Sequence, residues 1–237
     1  MIKKIVNISK IYTWNPIRNE LDVIRNQEIL IKNNKISKVD SSILDEADEI
    51  IDAENCIVTP GFIDSHTHPI FVGNRADEFI MRLNGSTYDD IKKNGGGIAS
   101  SIKNVRESSF EELKLSSIEN ISPFIKYGTT TIEAKSGYGL TLKDEIKSLE
   151  VIKTINKDLD IDVIPTFLGA HAIPNEFSNS EYVDLICNEM IPEISAKKLA
   201  VFCDVFCELG YFSINESRRI LNTAKSYGLI PRIHADE

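Results

Sequence analysis

Along this 237-residue chain the spacing of hydrophobic positions changes near residue 59. Before it, short apolar runs alternate with polar positions, as in Glu28-Ile29-Leu30-Ile31-Lys32 and Lys35-Ile36-Ser37-Lys38-Val39, with Asn33-Asn34 between them. A period of two on either side of an Asn pair predicts a β-hairpin. Residues 1–58 therefore read as a small β-rich domain of the composite β-sandwich kind, because two or three strands alone make a marginal unit.

From residue 59 onward, short apolar runs alternate with longer amphipathic segments, the pattern of β-α units on a parallel sheet. The predicted strands are Gly61–Ser65, Thr129–Ala134, Asp162–Leu168, Phe202–Phe206 and Leu229–Ile233. Helix starts are expected at Ser109 with Glu112, Thr141 with Asp144 and Ser213 with Glu216, where a hydroxyl precedes an acid by three positions. After Thr141, the residues Leu142, Ile146, Leu149, Ile152 and Ile155 recur at helical spacing and give one apolar stripe. Pro123 predicts a kink or break in the segment opened by Ser109, and Gly128 and Gly228 fit helix stops. Residues 59–237 thus form about five βα repeats, fewer than the eight of a closed (β/α)₈ barrel. Since Glu237 follows directly on the fifth strand, the chain reads as a truncated barrel.

Composition narrows the classes. With 42% hydrophobic and 27% charged side chains, the chain has the apolar content for a sizeable core. A membrane span or secretory signal is not expected, which predicts a cytoplasmic protein. Cys56, Cys187, Cys203 and Cys207 contain no Cys-x-x-Cys pair and lie in or beside apolar sequence, so buried reduced thiols are expected. A formal net charge of −9 argues against a nucleic-acid partner. It also means that an anionic substrate needs a local cation to hold it.

The candidate chemistry centres on Thr59-Pro60-Gly61-Phe62-Ile63-Asp64-Ser65-His66-Thr67-His68. On a strand, alternate side chains share a face, so His66 and His68 point the same way. Two imidazoles at that spacing supply half of a tetrahedral metal shell, although a pair of surface or capping histidines is the plainer account of the motif alone. The chain has only four histidines, and His171 and His234 also follow apolar, strand-like runs. Packing does not explain that placement.

Together with Phe71-Val72-Gly73-Asn74-Arg75, Gly95-Gly96-Gly97-Ile98, Lys135-Ser136-Gly137-Tyr138-Gly139, Gly169-Ala170-His171-Ala172-Ile173-Pro174 and His234-Ala235-Asp236-Glu237, this segment resembles the imidazolonepropionase family of the amidohydrolase superfamily. The resemblance implies a metal-dependent amidohydrolase TIM barrel with one zinc or iron ion, held by His66, His68 and His234. The family's fourth ligand, a late-strand aspartate, is expected to fall beyond Glu237. It further implies hydrolysis of 4-imidazolone-5-propanoate to N-formimino-L-glutamate in histidine breakdown, substrate contacts from Arg75, Tyr138 and His171, and a homodimer.

The residues also carry a chemistry of their own. Opening a cyclic amide needs an activated water, a polarised carbonyl and a proton for the leaving nitrogen, and a divalent ion supplies the first two. Glu237, three residues beyond His234, could reach the same water and shuttle the proton, or stand as a solvated acid. Arg75 has the planar fork that binds a carboxylate, the propionate tail by the resemblance, but surface arginines are common. Tyr138 lies in a Gly-flanked loop where backbone can approach a ligand, and core packing is its competing role. Gly95-Gly96-Gly97 lacks a following Lys-Ser/Thr, so an active-site loop is expected rather than a phosphate loop. Tyr88 fits pocket or packing equally, and Lys135 is expected to be structural or to sit behind the site. Two further readings stand beside the first: another amidohydrolase acting on a cyclic ureide or deaminating a base, and a catalytically incomplete fragment that serves only in assembly or binding.

Overall fold

The computed structural model describes residues 1–74, 76–85, 87 and 96–236. The chain divides into two compact units, Met1–Gly61 and Phe62–Glu237. In the first, strands β1 (Ile2–Val6), β4 (Glu28–Lys32), β5 (Lys35–Asp40) and β6 (Glu49–Asp52) form one sheet in the order β5-β4-β1-β6. Strands β2 (Lys10–Asn15), β3 (Glu20–Arg25) and β7 (Ile57–Val58) form another in the order β3-β2-β7. The expected hairpin is present as β4 and β5, paired antiparallel. Asn33 and Asn34 both take positive φ, 53° and 59°, as a two-residue turn matched to strand twist requires. Ile8, Ile11 and Ile29 form the buried core of this unit.

The second unit carries the parallel sheet, β8 (Phe62–Thr67), β9 (Thr129–Lys135), β10 (Asp162–Ala170), β11 (Phe202–Cys207) and β12 (Ile230–Pro231), in the order β12-β11-β10-β9-β8. A short β13 (His234–Ala235) also pairs with β11. Ile230 opposes Phe202 and His234 opposes Phe206, so β12 and β13 keep one register along β11. His234 is therefore part of the fifth strand, which ends at Ala235, two residues beyond the expected end at Ile233.

Helices α1 (Ala76–Leu83), α2 (Ile98–Glu107), α3 (Phe110–Lys126), α4 (Leu142–Asp158), α5 (Asn179–Leu185), α6 (Ile191–Ala196) and α7 (Ile214–Ser226) lie between the strands, and one π-helical turn, Ile186–Met190, joins α5 to α6. The three expected caps are in place: Ser109, Thr141 and Ser213 accept from the backbone N–H of Glu112, Asp144 and Glu216. Along α4, Leu149, Ile152 and Ile155 are fully buried and join Ile132, Val163, Phe167, Cys203 and Val205 in one core. Pro123 does not end its helix. It sits in the last turns of α3, and the N–H of Tyr127 closes the end on the carbonyls of Pro123 and Phe124. A proline removes a single rung of the ladder, and so near the terminus little helix depends on it. Gly128 and Gly228 follow α3 and α7 with φ of 86° and 84°, as stop residues do.

All four cysteines are free thiols, with Cys187 and Cys203 buried. Cys56 departs from expectation, being exposed in the turn before the two-residue β7, which is too short to cover it.

The loop after β9 is built tightly. Glu145, fully buried in the first turn of α4, accepts from the backbone N–H of Gly139 and Leu140 at 2.9 and 2.8 Å. A Cβ on Gly139 would lie 2.6 Å from the Asp144 carbonyl carbon and 2.7 Å from the Glu145 nitrogen, both backbone atoms with no freedom to swing away. Gly139→Ala is therefore expected to destabilise the chain by about 1–3 kcal/mol in urea unfolding. A loss below about 0.5 kcal/mol, the level of an indifferent surface substitution, would contradict this packing.

Candidate metal centre

Within β8, Thr67 turns into the protein and donates its hydroxyl to the Glu133 carbonyl at 2.6 Å. Its neighbours His66 and His68 therefore share the opposite face. From the other end of the sheet, β13 brings His234 to the same place, although three strands separate it from β8 in the sheet order. The sheet is curved enough for its two outer strands to meet through their side chains. Arg232 adds a second tie across the gap, donating to the Ser65 carbonyl at 3.0 Å.

The three rings converge through Nε2. His68 Nε2 lies 3.4 Å from His66 Nε2 and 3.3 Å from His234 Nε2. The three ligand atoms all fall within 4.8 Å of one another. Burial, reinforced by the neighbouring His171, His234 and Lys135, pushes the His68 imidazole down to about 3, and burial also lowers His66. Both are neutral near pH 7, so their lone pairs are available. A single shared proton can bridge only one of the two short gaps, whereas a cation satisfies all three nitrogens at once. Tetrahedral zinc with bonds of about 2.0–2.1 Å places its ligand nitrogens about 3.3–3.4 Å apart, which matches the two gaps from His68 to His66 and to His234. The donor set and its geometry thus fit one metal ion.

His171 follows the end of β10 and closes the cluster, with its ring centroid 5.2 Å from both His68 and Tyr138. Its Nδ1 stands 2.9 Å from the Gly137 carbonyl, which can only accept, so Nδ1 carries the proton. Gly137, at φ 109°, permits this approach, because a Cβ there would lie 2.8 Å from the Leu168 carbonyl oxygen and 3.1 Å from His171 Nδ1. Tyr138 also lies against Phe71, at 6.3 Å between centroids. The geometry brings together His66, His68, His171, His234 and Tyr138. Arg75, Glu237, Tyr88 and Gly95 lie outside the described residues. Gly97 opens α2 and donates its N–H to Glu78 at 2.8 Å.

Beneath the histidines lies a set of charges that the sequence reading did not assemble. Lys135 Nζ is 2.6 Å from Glu133 Oε1 and 2.7 Å from Asp204 Oδ2, all three side chains being almost wholly buried. Asp204 Oδ2 is also 2.9 Å from His234 Nδ1, an ion-pair distance whose angle falls short of a full hydrogen bond. Burial opposes the Asp204 charge, but the contacts from His234 and Lys135 outweigh it and hold the carboxyl below its usual range. The available signal was a charge in the middle of an apolar run, Phe202-Cys203-Asp204-Val205, and the i, i+2 pair Glu133 and Lys135 on one strand.

Comparison with known proteins agrees with this picture. Residues 49–98 match the Amidohydrolase family. A 5-methylcytosine deaminase from Klebsiella pneumoniae has the same fold at a TM-score of 0.66 and 13% identity, covering 98% of this chain and 51% of that one. An adenosine deaminase from Xanthomonas campestris with bound zinc follows at 0.57 and 10%, over 99% and 48%. The class is therefore the amidohydrolase α/β fold, here five parallel strands of its (β/α) barrel together with the N-terminal β strands. Within that class, the imidazolonepropionase of Brevibacillus brevis is 48% identical over 229 residues, 92% of this chain and 54% of the relative. That of Clostridium tetani is 45% identical over 227 residues with the same coverage. By sequence the chain belongs to the imidazolonepropionase family, and it spans about half the length of these curated relatives. None of the described helices is long and apolar enough to cross a membrane.

Removing the cation of the buried cluster leaves Glu133 and Asp204 uncompensated. Lys135→Met is expected to lower stability by about 3–5 kcal/mol, read by urea unfolding of the metal-free chain. A loss under about 1 kcal/mol would show that the cluster is already relieved by water.

Proposed function

We propose that the chain carries the metal-binding part of an amidohydrolase site that opens the ring of 4-imidazolone-5-propanoate to give N-formimino-L-glutamate, in the cytoplasm. The observation that supports this most directly is the convergence of three histidine nitrogens, with His68 Nε2 3.4 and 3.3 Å from those of His66 and His234 and all three within 4.8 Å of one another. The similar relatives bear the name imidazolonepropionase over nearly the whole of this chain. Zinc or iron is the proposed metal, since three imidazoles suit either. When bound, the ion supplies a Lewis acid and lowers the pKa of a water at neutral pH.

The chain's own residues would do the remaining work. His66, His68 and His234 present their ring nitrogens from rigid strands, so the site does not need to form on binding. His171, its ring 5.2 Å from His68 and its Nδ1 held on the Gly137 carbonyl, would contact the imidazolone ring or its carbonyl. Tyr138, its ring centroid 5.2 Å from that of His171, would contact the same ligand. Arg75 would hold the propionate through two parallel N–H bonds, giving an anion a local cation in a chain of net charge −9. Glu237 would carry the proton from the attacking water to the leaving nitrogen.

The test is turnover by the zinc- or iron-loaded chain. Ring opening without ammonia release is expected, whereas ammonia release would indicate a deaminase and overturn the substrate assignment. In a version extended to the length of its relatives, Arg75→Ala is expected to raise KM at least about tenfold, the worth of a lost charge-assisted bond, with bound metal unchanged. An unaltered KM would remove Arg75 from the carboxylate role.

A further inference from the structure

The buried charges behind His234 have a geometry that bears on the ion. Asp204 sits in the middle of β11 with both carboxylate oxygens engaged. Oδ1 accepts from the Val205 N–H at 2.8 Å, and Oδ2 lies 2.7 Å from Lys135 Nζ and 2.9 Å from His234 Nδ1. A carboxylate facing Nδ1 makes that nitrogen the protonated one, because two lone pairs at 2.9 Å would repel. The lone pair of a neutral His234 is then on Nε2, the atom 3.3 Å from His68 Nε2. One side chain thus sets both the tautomer and the heading of the ring.

Charge supports the same conclusion. Strands two apart in a sheet lie roughly 9–10 Å from each other, and Lys135 on β9 crosses β10 to reach Asp204 on β11. It passes Thr166, which opposes Lys135 in the ladder and hydrogen-bonds Glu133 Oε1. By formal count, one ammonium against two carboxylates, the cluster carries one net negative charge beneath three imidazoles. In a buried setting such a charge is weakly screened and favours a cation above it. Lys135 itself is not available to a ligand, being 1% exposed with its ammonium held by both acids.

Building on the reading that His66, His68 and His234 hold a metal ion, we infer that Asp204 is a positioning residue for that ion. It fixes the ring of His234 with Nε2 outward, and with Glu133 and Lys135 it places net negative charge under the site. A role confined to holding the strands together would lower the stability of the metal-free chain and leave the affinity of the folded chain alone. Orientation of a ligand histidine by a carboxylate has a different signature, a loss of about 10–100-fold in metal affinity.

The experiment is titration of the full 237-residue chain with cobalt(II) and zinc against a chromophoric chelator, with the cobalt absorption spectrum recorded below the unfolding temperature. Asp204→Asn keeps the shape and removes the charge. Weakening of about 10–100-fold and a shifted cobalt spectrum are expected. Affinity within about twofold of the wild type, with an unchanged spectrum, would overturn the inference. Should Asp204→Asn fail to fold, Glu133→Gln removes the same charge one step further from His234. A smaller loss of affinity with an unchanged cobalt spectrum is then expected, and wild-type affinity would again overturn the inference. A wild-type chain that binds neither metal would overturn the metal reading itself, and this inference with it.

Discussion

Parallel pairing is the constraint from which the rest follows. In a parallel sheet every strand ends on the same rim, so residues distant in sequence arrive at one edge if they occupy the ends of their strands. His66 lies near the end of β8 with His68 just beyond it, His171 follows β10, and His234 stands in β13, and curvature of the sheet turns that shared rim into one cluster. The alternation of side chains along β8 makes the rest of the choice. Thr67 is turned inward to the Glu133 carbonyl, and its two neighbours are thereby committed to the opposite side.

This convergence leaves electrostatic conflict in the protein alone. Imidazole nitrogens at 3.3 and 3.4 Å cannot all be satisfied by protons, and burial keeps His68 from ionising. The buried Lys135, Glu133 and Asp204 are a second departure from what packing alone would choose. Well-packed apolar residues commonly serve stability as well as a buried ion cluster does. Both departures occur at one end of one sheet, each next to the other, and a bound cation would relieve both.

Much of this was legible in the residues. The hairpin around Asn33-Asn34, the helix starts at Ser109, Thr141 and Ser213, and the five strand segments are local signals, and local signals survive folding. The four histidines stood out because few are present and each lies at the end of an apolar run. Asp204 was not legible as a partner of Lys135. Their contact depends on β10 lying between β9 and β11 and on Thr166 being small enough for a lysine to pass, which is long-range register rather than pattern. The expected break at Pro123 failed for a positional reason, since the proline falls where only the final turns of α3 remain. Placing the fifth strand's end at Ile233 failed because Arg232 and Ile233 interrupt the ladder without changing its register, and His234 resumes it.

The central claim is that imidazoles from separate strands share one ion. X-ray absorption at the metal edge of the zinc-loaded chain tests it most directly. Three imidazole nitrogens at about 2.0–2.1 Å, with the outer-shell scattering of their rings, are predicted. A first shell made of sulfur, or one containing a single imidazole, would contradict the account.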